Sequence, residues 1–274
     1  MISLIIPVYK NTALFLENLK HNLRYVKNAE IIIVNDDPET DLTLPLKEIC
    51  PQATLINNSK NLGFGPSVNL GVKKARADYL LFLNSDVLLM DKRFEKALTE
   101  FANPKLFGLS FAQLNNQGEL SVANAGEFKN GLFQHRPKPA NSTVPTLWAD
   151  GGSCLLRRAY FNELGGFDSR FAPFYWEDVD LGFRAAKRGY QILYYPKVVV
   201  KHNHATTINK YYPSEYTRTI NYRNQLLFTW KNGQGKNLIR HFCLLQLITL
   251  RLRKDKSFAK GLLMALKISL FGHA

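Results

Sequence analysis

No stretch of this chain reaches the roughly 18 consecutive uncharged apolar residues that a membrane-spanning helix needs. A spanning helix is therefore not expected. The N-terminus has no basic stretch ahead of its apolar residues. Met1 leads at once into a short run that ends at Pro7, so no secretory signal is read there. Cysteine is scarce. Cys50, Cys154 and Cys243 are far apart, odd in number and in no metal-ligand spacing, and they read as reduced thiols of a cytosolic protein. A Walker-type phosphate loop is missing, and no Gly-x-Gly-x-x-Gly follows the first apolar run. Both absences argue against a P-loop enzyme and a Rossmann dehydrogenase. Internal repeats and low-complexity segments are also absent.

The sequence is 46% apolar and 12% aromatic, enough for a real core in 274 residues. That length suits one large domain, or one domain with a tail. Charge is unevenly spread. Residues 1–200 hold 23 Lys/Arg and 20 Asp/Glu, whereas residues 201–274 hold 13 Lys/Arg and 2 Asp/Glu, a net of +11. The basic excess belongs to the tail. Nucleic acid, an anionic membrane surface or an acidic substrate would each account for it.

Strand and helix signals alternate over the first 112 residues. Ile2–Ile6, Ile31–Val34, Thr54–Ile56, Tyr79–Leu83 and Leu106–Ala112 read as strands, the second β-branched throughout. Between them lie a helix capped by Asn11, a short helix, a helix that starts in the glycine-rich Asn61–Gly71 stretch, and a helix over Asp91–Phe101. This order predicts an α/β fold with a mostly parallel sheet, flanked by helices and joined by right-handed crossovers. Ligands of such sheets bind beyond the carboxyl ends of the strands, here just after Ile6, Val34 and Leu83. Residues 113–150 read as loop-rich with a hairpin, and Arg157–Leu164 as helical. Glu177–Arg188 reads as a helix with acid at its start and Lys187, Arg188 and Gly189 at its end. Ile192–Tyr195 and Val198–Lys201 read as strands. The tail reads as a polar helix near Ser214–Lys231 and two apolar ones, Leu238–Leu252 and Phe258–Phe271.

Several clusters could carry chemistry. Asp36 and Asp37 follow a strand and could bond a nucleotide base or ribose, although Asn-Asp-Asp-Pro is also plain turn chemistry. Asn84-Ser85-Asp86 follows the fully apolar fourth strand. A carboxylate there could hold a hard divalent cation against a diphosphate, or simply cap a turn. Asn61-Leu62-Gly63-Phe64-Gly65 could admit phosphates to the backbone. Glu177, Asp178 and Asp180 crowd three carboxylates at a helix start. The helix dipole and an Asp180–Arg184 pair explain them structurally. Crowding also raises a carboxylate's pKa, which suits a general base. His202 or His204 could complete a metal site with Asp86.

Taken together these pieces resemble a family 2 glycosyltransferase of the GT-A fold. The resemblance rests on Pro7-Val8-Tyr9, Val34-Asn35-Asp36-Asp37-Pro38, and Asn61, Gly63, Phe64, Asn69 and Gly71. It continues through Asn84 and Asp86 as an Asn-x-Asp form of the Asp-x-Asp metal motif, Gly165-Gly166-Phe167-Asp168, Glu177-Asp178-x-Asp180, and a His after the next strand pair. It covers residues 1–204 in order. Asp37 and Pro38 stand where Gly-Ser is usual, and Asn84 stands where the first Asp is usual. Within the family, the Asn-x-Asp form and the Asn-x-Gly-Phe stretch resemble rhamnosyltransferase-like and galactofuranosyltransferase-like members more than cellulose-synthase-like ones.

The resemblance implies a catalytic domain over 1–204, with a nucleotide-sugar half at about 1–112 and an acceptor half at about 113–204, followed by a basic helical tail over 205–274. It implies inverting, metal-dependent transfer from a nucleotide diphosphate sugar to a hydroxyl of a cell-surface glycan, such as lipopolysaccharide or capsule, or of a lipid-linked oligosaccharide. Rhamnose from a dTDP donor is the first choice; a UDP-sugar (galactofuranose, galactose or N-acetylglucosamine) is the alternative. It assigns Asp178 as the base and Asp86 with His202 as ligands of Mg²⁺ or Mn²⁺. Donor contacts fall to Pro7, Tyr9, Asp36, Asn61, Gly63, Phe64, Asn69, Asn84 and Asp86. Acceptor contacts fall to Trp148, Asp150, Gly151, Gly152, Trp176 and Glu177, the two indoles as flat faces for a sugar ring.

Rival readings fit less well. A sugar nucleotidyltransferase wants a Gly-rich, basic loop after the first strand, where this chain has Tyr9-Lys10-Asn11-Thr12. A non-catalytic sugar-binding relative would have no need of Asp86, Asp178 and His202 together. No nucleic-acid motif is present, and the tail is apolar as well as basic, so no nucleic-acid partner is expected. The tail is expected to dock on an anionic membrane, which puts the protein in the cytoplasm at the inner face of the cytoplasmic membrane. Pairing of the last helices with each other or with a second subunit as a homodimer stays open.

Overall fold

A computed structural model describes residues 1–129, 131–202, 208–251 and 255–272. Its strands are β1 (Ile2–Val8), β2 (Glu30–Asn35), β3 (Thr54–Asn57), β4 (Tyr79–Leu83), β5 (Val87–Leu89), β6 (Leu106–Leu114), β7 (Ala123–Lys129), β8 (Leu132–Lys138), β9 (Val144–Pro145), β10 (Ser153–Arg157) and β11 (Gln191–His202). Its helices are α1 (Thr12–Asn22), α2 (Thr43–Ile49), α3 (Phe64–Lys74), α4 (Arg93–Lys96), α5 (Arg158–Glu163), α6 (Glu177–Lys187), α7 (Ile208–Tyr211), α8 (Ser214–Asn232), α9 (Lys236–Arg251) and α10 (Lys256–Phe271).

The main sheet runs β3-β2-β1-β4-β10-β6-β11-β5, with β9 beside β11. β1, β2, β3 and β4 are parallel neighbours, as the alternating strand and helix signals predicted. In β1, β2 and β4 the side chains are buried on both faces: Leu4 and Ile6 face one apolar cluster and Ile5 the other. That two-sided burial is why these strands read as unbroken apolar runs.

The sheet changes direction at β10, which inserts antiparallel between β4 and β6. Sequence reading left Ser153–Leu156 unassigned, because a short apolar run ahead of a helix has no period of its own. Two expected strands near 192–201 are one strand, β11, whose pairing with β6 slips between Tyr195 and Val199. Pro196 lies in that slip and has no amide hydrogen to give the ladder. The expected helix over 91–101 is shorter: Arg93–Lys96 is α-helical and Ala97–Ala102 is 3₁₀. The expected hairpin forms from β7 and β8.

Asn11 does not cap α1 with its side chain. It sits in the left-handed region, φ 48°, and its Oδ1 accepts from the Tyr211 hydroxyl at 2.9 Å and Lys210 at 3.2 Å. The proposed division at residue 204 is crossed by packing. One apolar cluster joins Phe133, Trp148, Phe171, Trp176 and Val179 to Leu226, Leu227 and Phe228 of α8 and Phe258 and Ala265 of α10. Burying each such large side chain contributes roughly 1.5–3 kcal/mol. Arg184 and Lys231 meet the buried carboxylate of Asp180 at 2.7 and 2.8 Å, and Lys231 also meets Asp168 at 2.8 Å. No helix among the described residues is long and apolar enough to cross a membrane.

Candidate active site

A cavity of about 400 Å³ opens at the carboxyl edge of the parallel strands. Pro7, Val8 and Tyr9 line it from the end of β1, Asp36 from the end of β2, and Asn84, Ser85 and Asp86 from the end of β4. Asn61, Gly63 and Phe64 form one wall ahead of α3. Asp150, Gly151 and Gly152 form another ahead of β10. The start of α6 contributes Glu177 and Asp178, and β11 ends on it with His202. Most of the residues expected from sequence therefore meet in one place.

Three of them do not line it. Asn69 staples α3 to the turn before Asp168, donating to the Phe167 carbonyl at 2.7 Å and accepting from its amide at 2.9 Å. Trp148 and Trp176 are 7% and 3% exposed. The ring of Trp176 packs on Phe133, Phe228 and His135, and His135 also stands edge-on to Trp148. Neither indole offers a face to a sugar. The apolar environment that drew attention to them is the core shared with α8. Phe174, Tyr175 and Tyr212 are the aromatic rings of the cavity besides Tyr9 and Phe64, and sequence reading gave them no role. Tyr212 stacks on Tyr9 and accepts from Asn61 Nδ2 at 3.1 Å. His204 lies outside the described residues.

Asp36 is 3% exposed, and its carboxylate accepts from Asn58 Nδ2 at 2.8 Å and from the amides of Leu62 and Gly63 at 2.7 and 2.8 Å. It fixes the shape of the Asn61–Phe64 wall. Burial nonetheless pushes its pKa up. Asp37 turns away into its own loop. Burial acts to raise its pKa, but bonds from Thr40 and Lys10 hold it below the ordinary value. Gly63 has φ 87°, and a Cβ there would stand 2.5 Å from Pro173 Cα, so both conformation and space require glycine.

Asp86 Oδ1 lies 3.2 Å from His202 Nε2, and both residues are buried. His202 Nδ1 faces Gln113 Oε1 at 2.9 Å, while Gln113 Nε2 donates to Ser153 Oγ at 2.9 Å. With its amide so oriented, Gln113 offers an oxygen. Gln113 thereby fixes the orientation of the imidazole, whose Nε2 edge faces Asp86. Two ligands about 2.1 Å from one cation stand on the order of 3 Å apart, so this pair fits a divalent ion. Among the described residues no third His, Cys, Asp or Glu joins them. Such a site is suited to a cation shared with phosphate oxygens and water.

Asp178 receives hydrogen bonds from the amides of Gly151 and Val179. Burial, and next the neighbouring Asp150 carboxylate, push its pKa up to about 7. Burial and Asp178 drive Glu177 well above the ordinary carboxylate value. The cavity is thus lined both by a buried carboxyl whose pKa is pushed up to about 7 and by the Asp86–His202 pair.

The family described as glycosyl transferase family 2 matches residues 3–165, more than half of the chain. The chain belongs to glycosyl transferase family 2. It is a glycosyltransferase, and its fold is of the GT-A type. The O-antigen chain rhamnosyltransferase RfbN of Salmonella typhimurium is 27% identical over 216 residues, 75% of this chain and 67% of RfbN. An N-acetylglucosaminyl-diphospho-decaprenol L-rhamnosyltransferase of Mycobacterium tuberculosis is 43% identical over 72 residues, 26% of this chain and 22% of that protein. A glycosyltransferase of Rickettsia bellii is matched over only 24% of its length. Among solved structures, TarS of S. aureus with UDP-GlcNAc superimposes with a TM-score of 0.61 at 17% identity, over 97% of this chain and 80% of that one. The mannosyltransferase PcManGT from Pyrobaculum calidifontis with GDP-Man and Mn²⁺ gives 0.60 at 15% identity, over 100% and 76%. The family 2 match ends at residue 165, so Asp178, His202 and all of α8 lie beyond it.

Proposed function

We propose that this family 2 transferase moves a sugar from a nucleotide diphosphate donor to a glycan hydroxyl in one inverting displacement, with Asp178 as general base. The observation that carries the reading is a buried carboxylate with a pKa near 7 in the same cavity as the Asp86–His202 pair. The acceptor hydroxyl gives its proton to Asp178 as its oxygen attacks the anomeric carbon. The bond from that carbon to the diphosphate oxygen breaks on the opposite face, and one displacement inverts the centre. Burial and the neighbouring Asp150 carboxylate hold the Asp178 proton affinity high. Asp86 and His202 would hold Mg²⁺ or Mn²⁺, which when bound neutralises charge on the leaving diphosphate.

Rhamnose from a dTDP donor is the first choice of sugar, supported by the two rhamnosyltransferases among the relatives. A UDP-sugar is the second, supported by the TarS fold neighbour with UDP-GlcNAc. The acceptor is a growing cell-surface glycan or a lipid-linked glycan, and the basic outer helices dock the protein on an anionic membrane. A thermal-shift screen of dTDP-rhamnose, UDP-galactofuranose, UDP-galactose and UDP-N-acetylglucosamine, with Mn²⁺ and with EDTA, tests the donor. Stabilisation by dTDP-rhamnose that needs Mn²⁺ is expected. Stabilisation by a UDP-sugar alone moves the assignment to the second choice.

A further inference from the structure

The turn that delivers Asp178 to the cavity is held by a helix from elsewhere in the chain. Tyr175 and Trp176, the two residues before α6, have φ values of 70° and 76°. Left-handed backbone at two successive aromatic residues is strained and persists only where the surroundings impose it. The same turn lines the cavity with Pro173, Phe174 and Tyr175, and its Pro173 carbonyl accepts from the Phe64 amide at 2.8 Å. It therefore touches the donor wall at one end and carries the base at the other.

Its carbonyls point inward and would be orphaned without partners. Asn224 of α8, fully buried, supplies them: Nδ2 donates to the carbonyls of Phe171, Phe174 and Tyr175 at 2.8, 3.0 and 2.8 Å. Arg223 donates to Ala172 and orients Asn224, its Nε lying 2.8 Å from Asn224 Oδ1. Asn221 accepts from Trp176 Nε1 at 2.7 Å. One turn of one helix thus bonds five of the six residues from Phe171 to Trp176.

We propose that Asn221, Arg223 and Asn224 are positioning residues for the transfer reaction, holding the strained Phe171–Trp176 turn so that Asp178 faces the cavity. The role rests on Asp178 being the base. It does not touch substrate. One side-chain amide with two N–H donors serves three carbonyls of a single turn, so the shape of that turn hangs on this residue. The cost of loosening the turn falls on the reaction, since an acceptor misplaced by about 1 Å costs on the order of a hundredfold in rate.

The test compares substitutions at the clamp with one elsewhere on the same helix. Asn224→Leu strips the amide donor from the Phe174 and Tyr175 carbonyls and leaves Phe171 to Arg223 alone, which can prevent folding, so Asn224→Ser is made beside it. Thr229→Val removes a bond from α8 to the Phe133 amide on β8 and serves as the stability-matched control. Carbon-13 carboxyl NMR follows the titration of Asp178, assigned by its loss in Asp178→Asn. The groups facing Asp178 are Asp150 ahead of β10, the buried Cys154 thiol on β10 and Glu177 on its own helix, and Asn224→Ser alters none of them. A released turn admits water to the carboxylate. Its midpoint should then fall from about 7 by on the order of one pH unit, while Thr229→Val leaves it in place. With substrate, kcat should fall about tenfold or more with little change in donor KM. An unmoved midpoint in Asn224→Ser, or the same shift in Thr229→Val, would overturn the proposal. The titration needs no substrate. A moved midpoint in a protein with no transferase activity would sink the transfer reading and the catalytic role with it, leaving only a structural clamp that sets the surroundings of Asp178.

Discussion

The two walls of the cavity are built on different principles. The wall proposed for the donor is held partly by its own neighbourhood, Asp36 by Asn58 and the amides of Leu62 and Gly63, and partly by distant single contacts, Asn61 with Tyr212 and Phe64 with Pro173. The base wall is held from a distance. Asn224 is 46 positions beyond Asp178, and Lys231, which meets Asp168 and Asp180, is farther still. A local turn can be specified by a handful of residues at fixed spacing. A wall assembled by a remote helix needs that helix to fold first or to fold with it. The wall proposed for the base is therefore the part of the site coupled most directly to the docking of α8.

Removing the base tests that division most sharply. Asp178→Asn should lower transfer by about 10²–10⁴-fold, the usual worth of a general base. Affinity for the nucleotide diphosphate, measured by calorimetry with Mn²⁺, should stay within about twofold because the donor wall is untouched. Near wild-type turnover in the mutant would move the base elsewhere, with Glu177 next. The substitution has a pH signature as well. A carboxyl whose folded pKa is raised from 3.8 to about 7 holds its proton in the folded state while the unfolded chain has lost it. Stability from this group is full below the unfolded value and is lost as pH rises to about 7. Asp178→Asn should therefore melt higher than wild type at pH 8 and not at pH 4.

The second prediction belongs to the donor wall. Asp86→Ala should weaken nucleotide diphosphate binding about tenfold or more with Mn²⁺ and leave the EDTA value unchanged. His202→Ala should act in the same direction but more mildly, and Gln113→Leu, which removes the partner of Nδ1, more mildly again. Equal affinities with and without Mn²⁺ in the wild type would remove the metal from the site.

What could be read from sequence follows the same divide. Asp36, Asn84 and Asp86 announced themselves because an apolar run ends and a carboxylate or amide follows within two residues. That local pattern fixes both the strand and the edge where ligands bind. Asp178 was found through crowded carboxylates at a helix start. Nothing local marked Asn224 or Tyr212. An Arg-Asn pair inside a polar helix looks like a solvated face until the helix is docked. Trp148 and Trp176 failed in the opposite way: apolar aromatic surroundings looked like a sugar platform, but the same composition makes a core. β10 escaped because its four buried residues carry no period and its antiparallel direction is set by a sheet partner 70 positions earlier.

A third prediction separates stability from chemistry on the base wall. Lys231 is the cation shared by Asp168 and the fully buried Asp180. Burial acts to raise Asp168, yet Arg170 and Lys231 hold it well below the ordinary carboxylate value. Lys231→Met leaves Asp180 to Arg184 and Asn232 alone. The loss should approach the roughly 3 kcal/mol that removing one partner of a buried pair costs, read by urea denaturation. Lys231 reaches the turn before Asp178 only through the ring of Phe171, 5.8 Å from its Nζ, so kcat of the folded fraction should change little. A large kcat loss at unchanged stability would mean that the two devices on α8 are not separable.

The smallest effect is expected where the molecule is least committed, on its outer helices. α10 packs its Phe258, Gly261 and Ala265 side on α8, and this inner face is already satisfied. Its outward stripe at three- and four-residue spacing carries Lys256, Lys260, Leu263, Leu266, Lys267 and Leu270. Leu263 is 68% exposed, Leu270 72% and Phe271 78%. Exposed leucines between lysines fit a surface that offers both hydrocarbon and negative charge. Each lysine near an anionic headgroup layer adds on the order of 1 kcal/mol, and each buried leucine roughly 1.5–3 kcal/mol, so a few of each give weak, salt-sensitive docking. Deleting α10 would be a poor test, since it would also uncover α8. Replacing Leu263, Leu270 and Phe271 with Gln, Gln and Ser leaves the inner face intact. Wild-type protein should float with vesicles of mixed anionic and neutral phospholipid, less so at high salt. The triple variant should stay in the soluble fraction with an unchanged melting temperature. Equal flotation with purely neutral vesicles would remove charge from the mechanism. No flotation, with concentration-dependent dimerisation that the triple variant abolishes, would assign the same stripe to a second copy of the chain.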